Sequence, residues 1–180
     1  MIKAMSGYQT YAWANSAGNV LPGGLSLGSI MTLALMQRHD IYQNQIRSQT
    51  DDMQARNNLL REMNKALAAL RTNRPTDGKS VRDYGSFVDW EGKTQDVFDW
   101  MQANGIAMES ENSDKKGVQS QFDAAITNLK AAIDSDNSEG QVALIFMQGL
   151  LDKLNQVAAL MSNLLAKDEK IKEIIIGNFR

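Results

Sequence analysis

Cysteine is absent from the sequence and histidine occurs once, and these two scarcities exclude most familiar catalytic and metal sites. Without cysteine, the 180-residue chain can form no disulfide, no thiolate metal site and no cysteine nucleophile. His39 has no partner at metal-ligand spacing, and it is the only candidate base for a Ser-His-Asp arrangement. We interpret His39 as a helix residue that lines an interface, and we expect neither catalytic nor metal-binding residues.

Motifs for cofactors, nucleic acids and membranes are also missing. The chain has neither a phosphate-binding P-loop nor the glycine fingerprint of dinucleotide-binding domains. Its net charge is −2 and its Lys and Arg residues are spread along the chain, so no basic stripe forms. The most apolar run, residues 30–36, is far shorter than the roughly 20 residues that span a bilayer, and no signal peptide is evident. We therefore expect no enzyme, no cofactor, no small-molecule substrate and no nucleic-acid partner.

Charged side chains are missing from residues 4–37. A soluble monomer rarely leaves such a stretch exposed, so we expect it to be covered, either by the chain's own core or by another subunit. Residues 1–24 are rich in Gly, Ser, Asn and Ala, show no sustained period and end in Pro22-Gly23-Gly24. We predict an irregular N-terminal arm over these 24 residues.

Two long segments carry a heptad pattern, in which seam positions follow one another at spacings of four and three. The first spans residues 25–71 and is predicted to stop before Pro75, because a proline restricts the residue that precedes it. The second spans residues 141–176, and Gly177 and Asn178 are predicted to cap it. The first seam reads Thr32, Leu35, His39, Tyr42, Ile46, Gln49, Met53, Arg56, Leu60, Met63, Leu67 and Leu70. The second reads Ala143, Met147, Leu150, Leu154, Val157, Met161, Leu164, Asp168, Ile171 and Ile175, with a further apolar row at Leu144, Leu151, Ala158 and Leu165 that indicates more than one neighbour.

The segment between the two seams, residues 72–140, is predicted to hold two shorter helices. Thr94 is a candidate N-cap for the first, which Asn104 and Gly105 would stop through a left-handed turn. The second spans about residues 115–133, and the acidic stretch 134–140 is interpreted as a solvated turn after it. That stretch resembles a calcium loop but lacks the required glycine and bidentate glutamate. Before these helices, Phe87, Val88 and Trp90 fit either a short strand or an anchored loop.

Together these patterns predict an all-α fold: a long two-helix coiled-coil hairpin with a smaller helical insert and an irregular N-terminal arm. The predicted divisions are an arm at 1–24, a first coiled-coil helix at 25–71, a loop and short-helix insert at 72–140 and a C-terminal coiled-coil helix at 141–180.

This order of features resembles the EspA/SseB proteins, which polymerise into the extracellular filament of some bacterial type III secretion systems. Three stretches carry the resemblance: the apolar opening IMTLALM at 30–36, the short helix DVFDWMQANGI at 96–106, and KGVQ at 116–119 leading through LKAAID at 129–134 into the C-terminal helix. The resemblance covers roughly residues 25–175.

The resemblance implies a structural subunit that forms a conduit from the needle tip toward the host membrane. A dedicated chaperone would cover the subunit in the bacterial cytoplasm before export, the N-terminal arm would hold the export signal, and needle and translocator proteins would be partners of the secreted homo-oligomer. We expect its self-assembly interface to comprise Leu25, Ile30, Leu33, Leu35, Met36, Leu150, Leu154, Val157, Met161, Leu164, Ile171 and Ile175.

Two alternatives stay open at the level of sequence. A needle-tip or translocator protein of the same machine also has a helical hairpin, but it closes as a small ring instead of growing open-endedly. A cytosolic helical chaperone or adaptor would remain dimeric.

Overall fold

The computed structural model describes residues 27–109 and 114–178. The predicted arm over 1–24, residue Leu25 and the predicted start of the first helix lie outside these residues. The described residues divide into two compact units, one within residues 41–155 and the other formed by the described parts of 1–40 and 156–180.

Two long helices dominate the described chain, as the heptad patterns predict. Helix α1 spans Leu27–Asn73 and helix α3 spans Gln119–Asn178, with lengths of 47 and 60 residues. A third helix, α2, covers the 7 residues Val97–Ala103. Helix α1 continues two residues beyond the predicted end at 71, because the restriction imposed by Pro75 acts on Arg74 and leaves Asn73 free to remain helical.

The predicted turn at residues 134–140 is wrong, because α3 is continuous through it. The guanidinium of Arg56 in α1 binds the carboxylate of Asp136 and lies 3.0 Å from Glu139 Oε2, which draws these acidic residues against α1. Ser138 Oγ donates to the carbonyl oxygen of Asp134 at 3.0 Å. The intrinsic cost of such residues in a helix is about 1 kcal/mol or less each, and the stretch contains no proline. The packing of α3 on both sides of this stretch therefore outweighs the low helix propensity of residues 134–140.

The predicted limits of α3 also need correction at both of its ends. Lys116 and Gly117 lie in a strand before α3 begins, so the helix predicted from 115 begins at Gln119. At the other end Gly177 and Asn178 do not cap α3, because the helix extends through both of them.

The described chain is not strictly all-α, because it contains four short strands in two antiparallel pairs. Strand β1 (Arg82–Asp83) pairs with β4 (Lys116–Gly117), and β2 (Ser86–Val88) pairs with β3 (Thr94–Asp96). The suggestion of a strand near Phe87 and Val88 is confirmed.

The short helix α2 has the predicted stop but a different start. Thr94 lies in β3, and the N-cap is Asp96, whose carboxylate accepts from the Asp99 backbone N–H at 3.1 Å. At the other end Asn104 is the C-cap, and Gly105 follows with φ +71°, a left-handed conformation that glycine adopts without steric cost.

Within residues 41–155 the two long helices pack antiparallel. Arg74, directly after α1, donates to Asp123 of α3 at 2.6 and 2.7 Å, whereas Arg56 pairs farther along α3 at Asp136 and Glu139. The α1 residue with the lower number thus pairs with the α3 residues of higher number, as expected for antiparallel helices. The core between the helices and the insert is one apolar cluster, formed by Met63, Ala66, Leu67, Leu70, Tyr84, Phe87, Val97, Trp100, Met101, Ile106, Phe122, Ala125 and Leu129.

Tyr84 anchors the insert at the centre of this cluster. Its ring is 1% exposed and its centroid lies 4.5 Å from that of Phe122. Its hydroxyl donates to the carbonyl oxygen of Glu109. A Cβ atom at Gly117 would lie 2.2 Å from this hydroxyl, so the β4 backbone can approach Tyr84 only because residue 117 is glycine.

Side-chain burial along the helices follows the predicted seams. On α1 every seam position from Thr32 to Leu70 is buried or half-buried. On α3 the same holds from Ala143 to Leu164, whereas Asp168 and Ile171 are exposed. The row at Leu144, Leu151, Ala158 and Leu165 is exposed throughout.

Truncation of a cluster residue tests this packing. Leu129 is fully buried, so we expect Leu129→Ala to lower the free energy of unfolding by about 2–5 kcal/mol through lost transfer energy and a residual cavity. Leu151 lies on the same helix and is 44% exposed, so Leu151→Ala should stay within about 0.5 kcal/mol of the parent. Urea unfolding followed by circular dichroism measures both, and equal effects would contradict the assignment of Leu129 to the core.

Candidate assembly surface

One stretch of α3 exposes large apolar side chains over about 200° of its circumference, while Ala143 and Met147 on the remaining side are half-buried. Val142 is 66% exposed, Ile145 69%, Phe146 52% and Leu144 49%. We name these four residues the apolar band. A helix segment with apolar residues on every side is normally buried, and here the exposed part forms one contiguous apolar patch that no described residue covers.

The residues predicted to form the assembly interface fall into different environments. Leu150 and Val157 are 2% and 4% exposed within the single chain, which leaves them little surface for a neighbouring subunit. Leu33, Met36 and Ile171 are 50%, 49% and 52% exposed. Leu25 and the side chain of Ile175 lie outside the described part of the structure. The half-buried members of the set are Ile30, Leu35, Leu154, Met161 and Leu164.

A second exposed feature is Trp90, at the tip of the β2–β3 hairpin, with 59% of its surface accessible. The hairpin turn is ordered by Asp89, whose carboxylate accepts from the N–H groups of Glu91 and Lys93 at 2.9 and 2.8 Å and from the Gln95 side-chain amide at 2.8 Å. These bonds fix the backbone on both sides of Trp90.

The carboxylate of Glu62 fastens the same turn to α1. Glu62 is 9% exposed; its Oε1 accepts from the Trp90 backbone N–H at 3.3 Å and its Oε2 from the Trp100 indole N–H at 2.9 Å. One turn later on α1, Lys65 Nζ donates to the carbonyl oxygen of Val88 at 2.6 Å. Both donors to Glu62 are neutral N–H groups, one from the backbone and one from an indole ring.

Trp90 and α1 together form a shallow groove. Its α1 wall lies off the seam and consists of Asp51, Gln54, Ala55, Asn58, Leu59 and Glu62, and Trp90 closes the other side. We name this feature the Trp90 groove. Two carboxylates and no cation occur among its lining residues, and the Asp51 carboxylate forms no hydrogen bond or ion pair with any described residue. The groove therefore offers an aromatic ring and negative charge.

The described residues were also compared with the requirements of metal sites and membrane spans. Across the described residues no three His, Cys, Asp or Glu side chains are grouped to hold a metal ion. His39 is half-buried, and its Nδ1 lies 3.7 Å from Asp40 Oδ1, beyond hydrogen-bond distance. No helix in residues 27–109 and 114–178 has the length and apolar character required to cross a bilayer.

Sequence reasoning missed both surfaces. The band had a visible signal, the unbroken apolar run VALIFM at 142–147, but the heptad seam contains only its half-buried residues Ala143 and Met147. The groove had no local signal, because it depends on a contact between residues 28 positions apart, Glu62 and Trp90.

Comparison of the chain with family models, with curated proteins and with solved structures found no match.

The hairpin turn has a pH dependence that can be measured. The pKa of Asp89 is lowered, first by the hydrogen bond from Gln95 and then by the N–H groups of Lys93, Glu91 and Gly92, while desolvation acts in the opposite direction. Because the pKa of Asp89 is lower in the folded state, its ionised carboxylate stabilises the fold at pH values above the unfolded-state pKa, which is about 3.9. This stabilisation is lost as the pH falls through the folded-state pKa.

We therefore expect Asp89→Asn to be less stable than the parent at pH 7, with a difference that shrinks as pH falls below about 4. Urea unfolding of both proteins at several pH values measures the difference. Asp152 is exposed and forms no side-chain bond with a described residue, so Asp152→Asn is the control, with little effect at pH 7. A gap for Asp89→Asn that is constant down to pH 3 would contradict this role.

Proposed function

We propose that this protein is a structural subunit that assembles with copies of itself, and that the apolar band on α3 is the surface that assembly covers. The band is the observation that supports the proposal, since four large apolar side chains lie within five consecutive residues and each is about half exposed or more. The described chain offers a helical scaffold and two exposed surfaces on which such an assembly can form.

The energetics favour a partner for the band. Burial of a Val, Ile or Phe side chain contributes about 1.5–3 kcal/mol, and the four residues of the band together contribute an amount comparable to the estimated entropy cost of association, about 4–15 kcal/mol. Contacts beyond the band are then needed for a stable polymer. The exposed residues Leu33, Met36 and Ile171 are candidates for such contacts.

The resemblance to the EspA/SseB proteins gives this assembly a biological setting. We propose a secreted, extracellular type III secretion filament that carries proteins from the needle tip toward the host membrane. The finer fold proposal is a coiled-coil hairpin that follows both seams along their whole length. A dedicated chaperone would cover the band in the bacterial cytoplasm before export, and needle and translocator proteins would contact the assembled filament.

Substitution of the most exposed residue of the band tests the proposal. We expect the purified parent to form filaments visible by negative-stain microscopy, and Ile145→Glu to remain monomeric in sedimentation velocity because assembly would bury a charge without a partner. Ile145 is 69% exposed, so its far-ultraviolet circular dichroism should match the parent.

The matched control is Asn155→Glu, which places the same charge on an exposed position of the same helix. This variant should assemble as the parent does. Small closed particles formed by the parent would favour a needle-tip or translocator protein, and a stable dimer would favour a chaperone or adaptor. Filaments of Ile145→Glu equal to those of the parent would exclude the band as the assembly surface.

A further inference from the structure

We propose that the Trp90 groove of one subunit receives the α3 face of a second copy, with Phe146 against Trp90 and Lys153 beside Asp51. This inference rests on the proposed self-assembly and adds to it the identity of the two surfaces that meet.

The inserted face combines an aromatic ring with a cation. Phe146 and Lys153 are seven residues apart on α3, so they lie on one side of the helix about 10.5 Å apart along its axis. Phe146 is 52% exposed, and Lys153 is exposed and forms no side-chain hydrogen bond or ion pair with any described residue. The neighbouring carboxylate, Asp152, points about 100° away around the helix.

The receiving face has the opposite charge and is long enough for the inserted face. Its α1 wall extends from Asp51 to Glu62, about three turns of helix, whereas Phe146 and Lys153 are about two turns apart. Trp90 stands on one side, and Glu62 and Asp51 supply negative charge that no lining cation neutralises. An incoming lysine thus meets a site where a carboxylate lacks a partner.

The two contacts have different roles. Offset or edge-to-face packing of Phe146 on Trp90 removes two half-exposed aromatic rings from water and supplies most of the binding energy. The Lys153–Asp51 pair is exposed, and such pairs add little affinity, so it fixes orientation and discriminates against like-charged neighbours.

The two surfaces are different from each other, which determines the type of assembly. Each subunit carries one groove on α1 and the insert and one inserting face on α3, so a contact leaves one free surface at each end. Such heterologous contacts continue into open polymers unless the rotation between subunits closes a ring. A face-to-face contact of identical bands would stop at a dimer.

Charge reversal tests this pairing directly. Asp51→Lys and Lys153→Asp each place like charges in contact, so each alone should raise the critical concentration for polymerisation about 5- to 30-fold, measured by sedimentation. A 1:1 mixture should return to near the parent value, because every contact between unlike variants pairs a lysine with a carboxylate. The matched control is Asp52→Lys, which changes the same charge on an adjacent exposed residue outside the groove lining and should assemble as the parent does.

The aromatic contact gives a second, independent readout. Trp90→Ser keeps the inserting face and Phe146→Ser keeps the groove, so neither should polymerise alone. Their mixture should form 1:1 heterodimers and stop there, as measured by mass photometry. Circular dichroism should match the parent for every variant because all of these side chains are at least half exposed or on the surface.

The outcomes separate this inference from the proposed function. Suppose that the parent assembles. If Asp51→Lys then assembles as well as the control Asp52→Lys, or if the mixture of charge variants assembles no better than each variant alone, the groove contact is overturned and self-assembly remains. Homodimers of Trp90→Ser would show band-to-band pairing and also overturn it. A parent that never assembles, alone or in mixtures, overturns both.

Discussion

The buried carboxylate of Glu62 is the interaction on which the arrangement of the insert depends. It accepts hydrogen bonds from two tryptophans of the insert, through the backbone of Trp90 and the indole of Trp100. Loss of this acceptor would leave the Trp100 N–H unsatisfied beside a packed core, a penalty of about 1–3 kcal/mol. Trp100 in turn packs edge-on against Phe87 at 5.3 Å, so one carboxylate joins α1, α2 and the β2–β3 hairpin. The exposed indole at the hairpin tip has a defined position because of a residue on another element.

The sequence predicts features of the fold that are local and periodic. Seam positions such as Leu67 and Leu150 recur at heptad spacing, so the two long helices and their buried sides are predicted before any tertiary information is available. The β1–β4 pair is not predicted, because it joins residues more than 30 positions apart with two residues on each strand. The helical stretch at 134–140 is missed for a similar reason, since its stabilising cation, Arg56, is 80 residues away.

The candidate surfaces are predictable only where exposure follows from the same periodicity. The second apolar row, with Leu144 and Leu151, is exposed in the described chain, and the prediction that it contacts a further neighbour stays a prediction. Residues such as Leu150 are predicted as interface residues because of their heptad spacing, yet they are buried within the single chain. Heptad spacing identifies the seam between the two helices of one chain, so a residue in that seam is already covered. The exposure of Trp90 and the unpaired charge of Asp51 depend on three-dimensional neighbours and have no counterpart in the pattern.

The continuous passage of α3 through residues 134–140 has a consequence for the dynamics of the helix. This stretch has few buried side chains, and most of its residues favour turns over helices, so its amides should exchange with solvent through local opening while those near Phe122 exchange only on global unfolding. We therefore expect the residues before and after this stretch to behave as two cooperative segments of one continuous helix. The segment that carries the apolar band is therefore separated from the segment that packs around Tyr84 by a stretch whose local stability is lower than that of either.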